Sequence, residues 1–374
     1  MRRASVLFPI VALLAACRSD AGSAEKAAGK GSDSHPFVAS AVATLNSPWA
    51  MAFLPDGRML VTEKAGRLLL LSADGSGQVP VDGVPKVDSA GQGGLMDVVL
   101  HPRFAQNRLV YFSYSEAGRG GKGVVLARGV FTDGARPVLA DVRAIFRASP
   151  YVGGNGHYSG RIAFSPDGHL FFTSGERQKF DPAQDPSSTL GKVLRLNDDG
   201  SPAAGNPLAA RGFDPAIWSY GHRNLLGLAF DASGNLWEQE MGPRGGDEVN
   251  LILPGRNYGW PRASNGSHYD GRDIPDHRPG DGFEAPKLWW NPSISPAGLI
   301  IYSGALFPQW RGDAFIGGLS SEALIRVDLK ATTAAKGDQW AMGARIRDVE
   351  QGPDGAIWLI EDGPGGRLLK LTPK

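Results

Sequence analysis

Three loop segments of this sequence carry residue types able to transfer protons, bind charge or hold a metal. The first is Gly154-Asn-Gly-His157-Tyr-Ser-Gly-Arg161, a glycine-rich loop that sets one histidine at the entrance to a short apolar strand. A neutral imidazole, with an ordinary pKa of about 6.5, can act as a base near neutral pH. The second is Tyr220-Gly-His222-Arg223-Asn224, ahead of the apolar run Leu225–Phe230. Arginine beside asparagine offers several donors and one acceptor, which suits a polyhydroxylated or carboxylated ligand. The third is Met241-Gly-Pro-Arg-Gly-Gly-Asp-Glu-Val-Asn250. Asp247, Glu248, Asn250 and outward-pointing Gly/Pro carbonyls would be hard oxygen donors of the kind Ca²⁺ takes. On composition alone, a turn with Asp247 and Glu248 solvated is the better-fitting reading.

Two further groups complete the set. Arg345 and Arg347 are alternate residues, so in a strand they share a face, and two arginines aimed into a cavity require anionic company. Trp289-Trp290 offers a ring able to stack on a planar ligand. The other histidines (His35, His101, His169, His268 and His277) sit in the tether, at a strand end, after a turn or in polar loops, where structural roles predominate. None shows the close His–His spacing of a zinc site.

The elements that must position these residues repeat along the chain. Trp49–Phe53, a Pro-Asp-Gly turn and Met59–Thr62 with Arg67–Leu71 form the first unit. Similar strand–turn–strand phrases begin at Leu95, Arg161, Leu226, Leu299 and Asp348, several with Pro-Asp-Gly or Ala-Ser-Gly at the turn. Roughly six units of about 55 residues, with no helical period, match four-stranded propeller blades with long loops. The expected fold is all-β, a six-bladed β-propeller of four-stranded antiparallel blades over residues 38–374. A pair of β-sandwiches fits less well, because the phrase recurs from end to end. Loops of a propeller converge on a central funnel, where residues distant in sequence can meet.

Composition narrows the function classes. Hydrophobic residues at 42% and charged residues at 21% are those of a globular chain, and a net charge of +1 offers no case for nucleic acid. Arg2, Arg3 and the short apolar run Ala4–Ala16 form a targeting segment too brief to span a bilayer. Residues 1–16, ending at Leu14-Ala-Ala-Cys17, resemble a bacterial lipoprotein signal, in which the cysteine is lipidated. An ordinary secretory peptide is the alternative. Residues 17–37 read as a flexible tether, so the expected location is periplasmic or cell-envelope, with membrane contact only through a lipid anchor at Cys17. Cys17 is the sole cysteine, which rules out an intrachain disulfide.

Taken in order, GQGGLMDVVLHPRF, NGHYSGRIAFSPDG, YGHRNLLGLAF, GPRGGDEVN, NYGWP, WNPSISPAG and RIRDVEQGPDG resemble the soluble pyrroloquinoline quinone-dependent aldose sugar dehydrogenases (glucose/sorbosone dehydrogenase-like) over nearly all of residues 45–372. The resemblance implies a quinoprotein that oxidises the anomeric carbon of aldose sugars to lactones. His157 matches the general base, and Gln92 a glutamine touching substrate or quinone. Arg223 and Asn224 match the pair flanking the reactive quinone carbonyl. Gly242 and Pro243 match backbone-carbonyl ligands of the cofactor's Ca²⁺. Arg345 and Arg347 match arginines on cofactor carboxylates, and Trp290 a ring near the cofactor. Glu248 and the Tyr258 carbonyl match a second, structural Ca²⁺ site.

Two positions depart from that pattern. Ser320 stands where the family has a lysine, removing one cation from the cofactor's carboxylates. Gly156 precedes His157 where some members have an aspartate able to orient the base. The competing readings are a Ca²⁺-dependent propeller lactonase and a non-catalytic sugar- or ligand-binding propeller. Three arginines discriminate, since a neutral lactone needs none and a tricarboxylated quinone does. The electron acceptor, a quinone or a cytochrome, is not specified by these residues.

Overall fold

The computed structural model describes Met1 and residues 35–374; the expected signal segment, Cys17 with its anchor, and nearly all of the tether lie outside the described residues. Six four-stranded antiparallel sheets follow one another around a ring. Blade 1 is Pro48–Phe53, Met59–Glu63, Arg67–Leu71 and Gln78–Val81. Blade 2 is Leu95–Leu100, Leu109–Gly118, Gly121–Thr132 and Val138–Arg147. Blade 3 is Ser159–Phe164, Leu170–Ser174, Lys192–Leu196 and Ile217–Tyr220. Blade 4 is Leu225–Phe230, Leu236–Glu240, Asp247–Ile252 and Leu288–Trp290, and blade 5 is Pro296–Ile301, Ala314–Gly318, Ala323–Lys330 and Thr333–Ala341. Blade 6 takes Ile346–Gln351, Ile357–Glu361 and Pro364–Pro373 from the C-terminus and Phe37–Asn46 from the N-terminus. The expected six-bladed propeller is therefore the fold, and Phe37, assigned to the tether, is a buried strand residue.

Local sequence explains the blades. The turn between the first two strands ends in glycine in four of them: Gly57, Gly168, Gly234 and Gly355 have φ of 88°, 89°, 83° and 84°. Those left-handed values are cheap only for glycine, so the Pro-Asp-Gly and Asp-Ala-Ser-Gly phrases set the hairpins. Strands after each turn are buried at every position, as in Met59–Glu63 and Ile357–Glu361, because they lie between neighbouring blades and are covered on both faces; they start apolar and turn polar toward their ends. Among the described residues the α-helix is a single four-residue turn, Phe104–Asn107.

The ring closes because the two chain ends pair along ten-residue strands, Phe37 opposite Pro373 and Asn46 opposite Pro364. At its centre Arg161 is buried, with Nη1 3.1 Å from Asp97 Oδ1, Nη2 2.9 Å from Asp348 Oδ1 and Nε donating to the Leu226 carbonyl at 2.8 Å. Its guanidinium also lies 4.3 Å from the Trp49 ring centroid. Asp348 accepts from the Met51 N–H at 3.1 Å and Asp97 from the Ile162 N–H at 2.8 Å. One cation thus ties the inner strands of blades 1, 2, 3, 4 and 6. Burial pushes both carboxyls up, Asp348 to about 6, and the charge of Arg161 opposes that shift. Removing one partner of such a buried set leaves charges unpaired, typically costing about 3–5 kcal/mol. Arg161→Met should therefore lower the urea unfolding midpoint by a corresponding amount; an unchanged midpoint would show that the ring does not depend on this cation.

Candidate active site

The inner strands leave a central cavity of about 510 Å³, within the usual size of small-molecule sites. Gln92, Tyr158, Ser159, Asn224, Met241, Leu319, Lys64, Arg345, Arg347 and Asp362 contribute to its wall. Among the described residues, Lys64, Arg345 and Arg347 are its cations and Asp362 its one carboxylate. Arg345 Nε donates to Asp362 Oδ2 at 2.9 Å, and Arg347 Nε to Oδ1 at 2.9 Å. The two arginines do share one side, as alternate strand-end positions should, and one carboxylate serves both.

His157 is buried rather than exposed, just behind this wall. Its N–H donates to Gln92 Oε1 at 2.6 Å, and the flanking Tyr158 and Ser159 face the cavity. Its Nδ1 lies 2.5 Å from Glu176 Oε1, and Nε2 makes no hydrogen bond with any described residue. A carboxylate on Nδ1 fixes the tautomer that leaves the Nε2 lone pair free. Burial lowers the imidazole pKa below its usual value and Arg223 adds to that, while Glu176 pulls the other way. A pKa below the ordinary value of about 6.5 leaves the ring neutral at pH 7.

Glu176 has no assigned role in the sequence reading, although it ends the same hairpin phrase at Ser174-Gly-Glu176. It also accepts N–H bonds from Gln178 at 3.0 Å, Lys179 at 2.5 Å and Phe180 at 2.6 Å. Burial works to raise its pKa, yet the hydrogen bonds from His157 and Phe180 outweigh it and the net shift is downward. These bonds hold Arg177, Gln178 and Phe180 at positive φ of 62°, 59° and 63°, a conformation costly for side-chain-bearing residues. Gly156 has a steric reason: a Cβ there would lie 2.6 Å from the Gln178 amide group. The space of an aspartate is filled, and the orienting carboxylate arrives from the other strand end.

Arg223 lies at the boundary with a second, smaller cavity of about 10 Å³, room for one ion or water. Its Nη1 donates to the Met241 carbonyl at 2.9 Å and the Gly242 carbonyl at 2.8 Å, and its Nη2 to the Tyr269 hydroxyl at 3.2 Å. Gly242, Glu248, Tyr258 and Glu240 line the small cavity; Pro243 is buried next to Gly242 and lines neither. Asp247 is no free metal donor, because it accepts from the N–H groups of Gly242 at 2.8 Å and of Ile294 and Ser295 at 2.7 Å each. It organises the loop instead.

Behind the small cavity three glutamates converge on one face. Glu238 and Glu240 alternate on one strand, and Glu240 stands opposite Glu248 on the next. His222 Nδ1 contacts Glu240 Oε1 at 2.9 Å, and Asn250 Nδ2 donates to Glu238 at 3.1 Å. Glu238 Oε1 and Asn250 Oδ1 are buried without a hydrogen-bond partner. Burial and the neighbouring carboxylates push Glu238 and Glu248 well above the usual carboxylate range. His222, Glu238 and Glu240 bring ligand atoms within 4.8 Å of one another, and a donor set so rich in carboxylate oxygen fits a hard divalent cation.

One expected cofactor contact, Trp290, lies away from the cavity, and so does Ser320. Trp290 does not line the cavity: it packs in the hydrophobic cluster of Trp237, Val249, Leu251 and Ile294, with Lys336 Nζ 5.6 Å from its ring centroid. It sits in the outermost strand of blade 4, so its ring faces the neighbouring blade rather than the funnel. Ser320 is exposed, its hydroxyl donating to the Ser293 carbonyl at 3.2 Å, while the adjacent Leu319 faces the cavity.

The family model for glucose/sorbosone dehydrogenases matches residues 45–370. The chain is 40% identical to the aldose sugar dehydrogenase YliI of Escherichia coli K12 over 339 residues, covering 88% of this chain and 91% of that one. The apo crystal structure of the soluble aldose sugar dehydrogenase from E. coli superposes with a TM-score of 0.86 at 39% identity, covering 90% of this chain and 100% of that one. The pyrroloquinoline quinone-bound aldose sugar dehydrogenase of Streptomyces coelicolor gives 0.76 at 31%, covering 90% and 98%. A family match over almost the whole propeller, with 40% identity to a relative covered over 91% of its length, makes this chain a member of the glucose/sorbosone dehydrogenase family.

Proposed function

We propose that this enzyme oxidises the anomeric carbon of aldose sugars to the lactone, with pyrroloquinoline quinone and Ca²⁺ as cofactors and His157 as the base. The observation that carries this reading is the buried His157–Glu176 pair beside a cavity with three cations and one carboxylate. That charge excess fits a planar polycarboxylate and has no use for a neutral lactone substrate, which counts against a lactonase. When bound, the quinone supplies the two-electron acceptor and Ca²⁺ the Lewis acid that polarises it.

The chain's own residues do the rest. His157 Nε2 takes the proton of the anomeric hydroxyl as its C–H hydride leaves, so the carbon becomes the lactone carbonyl. Glu176 stabilises the imidazolium that forms and keeps Nδ1 protonated throughout. Gln92, held by the His157 N–H, keeps its amide NH₂ for sugar or cofactor. Asn224 faces the same cavity. Arg345 and Arg347 hold carboxylates by charge-assisted hydrogen bonds. Arg223 directs its charge toward the site where negative charge develops on reduction. Gly242 and Pro243 carbonyls, and separately Glu248 with Tyr258, are the donor groups for Ca²⁺.

The same reading has the protein exported as a lipoprotein anchored through Cys17, passing electrons to a quinone or cytochrome. The Arg2–Cys17 sequence supports it, and among the described residues no helix is long and apolar enough to cross a membrane.

His157→Ala should lower kcat by roughly 10²–10⁴-fold with quinone affinity retained. Wild-type kcat/KM should fall only below about pH 6.5, because a lowered imidazole pKa keeps the base neutral down to that point. Glu176→Gln removes the group that raises this pKa, so its acid limb should move to still lower pH while the plateau drops roughly tenfold or more. An unmoved limb, or near-normal turnover without the imidazole, would overturn the assignment.

Ca²⁺ should raise the melting temperature of chelator-treated protein in a concentration-dependent way, since a ligand that binds only the folded state at about 100 times its Kd adds about 2.7 kcal/mol. Glu248→Gln should blunt that rise. A melting temperature indifferent to Ca²⁺ would remove the metal from the glutamate pocket.

A further inference from the structure

Lys64 directly follows the second strand of blade 1 and is half-buried in the cavity wall. Its backbone is held from both sides: its N–H donates to the Ser47 carbonyl at 2.9 Å, and its carbonyl accepts from the Leu95 N–H at 3.1 Å. Gly94 packs so closely that a Cβ there would lie 2.2 Å from the Lys64 carbonyl oxygen and 2.7 Å from its Cγ. The root of the side chain is thus fixed between blades 1 and 2. Its ammonium forms no hydrogen bond or ion pair with any described residue. Lys122 and Lys287, by contrast, each have a carboxylate at 2.9 or 3.0 Å.

A short chain of backbone hydrogen bonds runs from Lys64 to the arginine pair across the seam of the ring. Ser47, whose carbonyl receives the Lys64 N–H, itself donates to the Gly363 carbonyl at 3.0 Å, and the adjacent Asp362 donates to the Arg345 carbonyl at 2.8 Å. Lys64 and Arg345 therefore border the same corner of the cavity. Asp362 is already engaged by both arginines, so the ammonium adds positive charge that nothing in the wall neutralises. An unpaired cation held in a concave, part-buried site beside two guanidiniums is unfavourable until an anion with more than one charge arrives.

We propose that Lys64 is a cofactor-binding residue that takes a carboxylate of the quinone, supplying from blade 1 the cation that the family pattern has in blade 5. It rests on the quinoprotein reading. Ser320, at the blade-5 position, is exposed and bonded to a carbonyl, so it has no such role. Charge-assisted hydrogen bonds of this kind are typically worth about 10–100-fold in affinity.

The test is a fluorescence or calorimetric titration of pyrroloquinoline quinone into Ca²⁺-loaded apoprotein, read as Kd with no turnover. Lys64→Met and Lys64→Gln should each weaken binding about 10–100-fold, and Lys64→Arg should recover most of it. Wild-type Kd should rise more steeply with salt than that of the two neutral variants, while all four proteins share one melting temperature. Neutral variants that bind as tightly as wild type overturn the inference and leave the quinoprotein reading intact. Equal losses in Lys64→Arg and the neutral variants overturn it too, by pointing to packing rather than charge. A wild-type protein that binds no quinone overturns the quinoprotein reading itself, and this inference with it.

Discussion

Everything in the funnel is positioned relative to Arg161, because that one guanidinium is what the innermost strands of five blades have in common. A propeller blade is stabilised mainly by apolar packing against its neighbours, which fixes blade-to-blade distance well but leaves the axis lined by backbone and polar groups. Asp97, Asp348 and the Leu226 carbonyl are such groups, and each comes from a different blade. A planar donor that reaches all three holds the inner strands in register at the point where a slip would shift every cavity residue at once. The charge is not free to leave, since burial penalises each carboxylate without it. Specificity of arrangement, more than net stability, is what a buried set of this kind provides.

Glu176 repeats that logic on the scale of a loop. Its two oxygens accept from three consecutive-region backbone N–H groups and from His157, so the strained residues 177–180 and the imidazole are held by one carboxylate. The left-handed backbone is tolerated because a buried anion would otherwise lack donors. Arg177 reinforces it, stacking 3.6 Å over the Tyr158 ring and donating to the Gly154 carbonyl at 2.8 Å. The result is an imidazole whose orientation depends on a rigid shell rather than on the cavity's contents, the preorganisation that the proposed proton transfer needs.

Much of this was legible in the sequence, for identifiable reasons. Repeated Pro-Asp-Gly turns between apolar runs report backbone geometry directly, so the blades could be counted. His157, Arg223, Asn224, Arg345 and Arg347 stand out because each lies in or beside a glycine-rich or alternating phrase entering an inner strand, whereas Gln92 comes from the family resemblance alone. Trp290 could not be placed, because an aromatic pair at a strand end does not say which ring turns inward. Glu176, Lys64 and Asp362 were hidden for a related reason: each is an ordinary charged residue just beyond a second strand, and its role is created by a residue from another blade or strand. Glu238 and Glu240 did carry a signal, since acidic residues alternating in Leu236-Trp-Glu-Gln-Glu240 are out of place in a strand covered on both faces.

The two cavities divide charge between them in a way that gives Arg223 its position. The large cavity has an excess of cations, and the small one is backed by three glutamates. Arg223 lies where they meet: its backbone N–H donates to Glu240, and its guanidinium to the carbonyls of Met241 and Gly242. Trp260 and Tyr269 flank the guanidinium at 5.2 and 5.8 Å, restricting its movement. A carbonyl oxygen has two lone pairs, so the Gly242 carbonyl can serve the guanidinium and still offer an oxygen to a cation. Placing a second positive charge there is opposed by Arg223, and the crowded glutamates behind offset it: burial and mutual repulsion favour their protonated forms when they stand alone, and a cation draws them back to carboxylates. The glutamate pocket is therefore poised for a cation, and its ionisation on binding one would make it electrostatically feasible for a guanidinium and a divalent cation to share one side of the site.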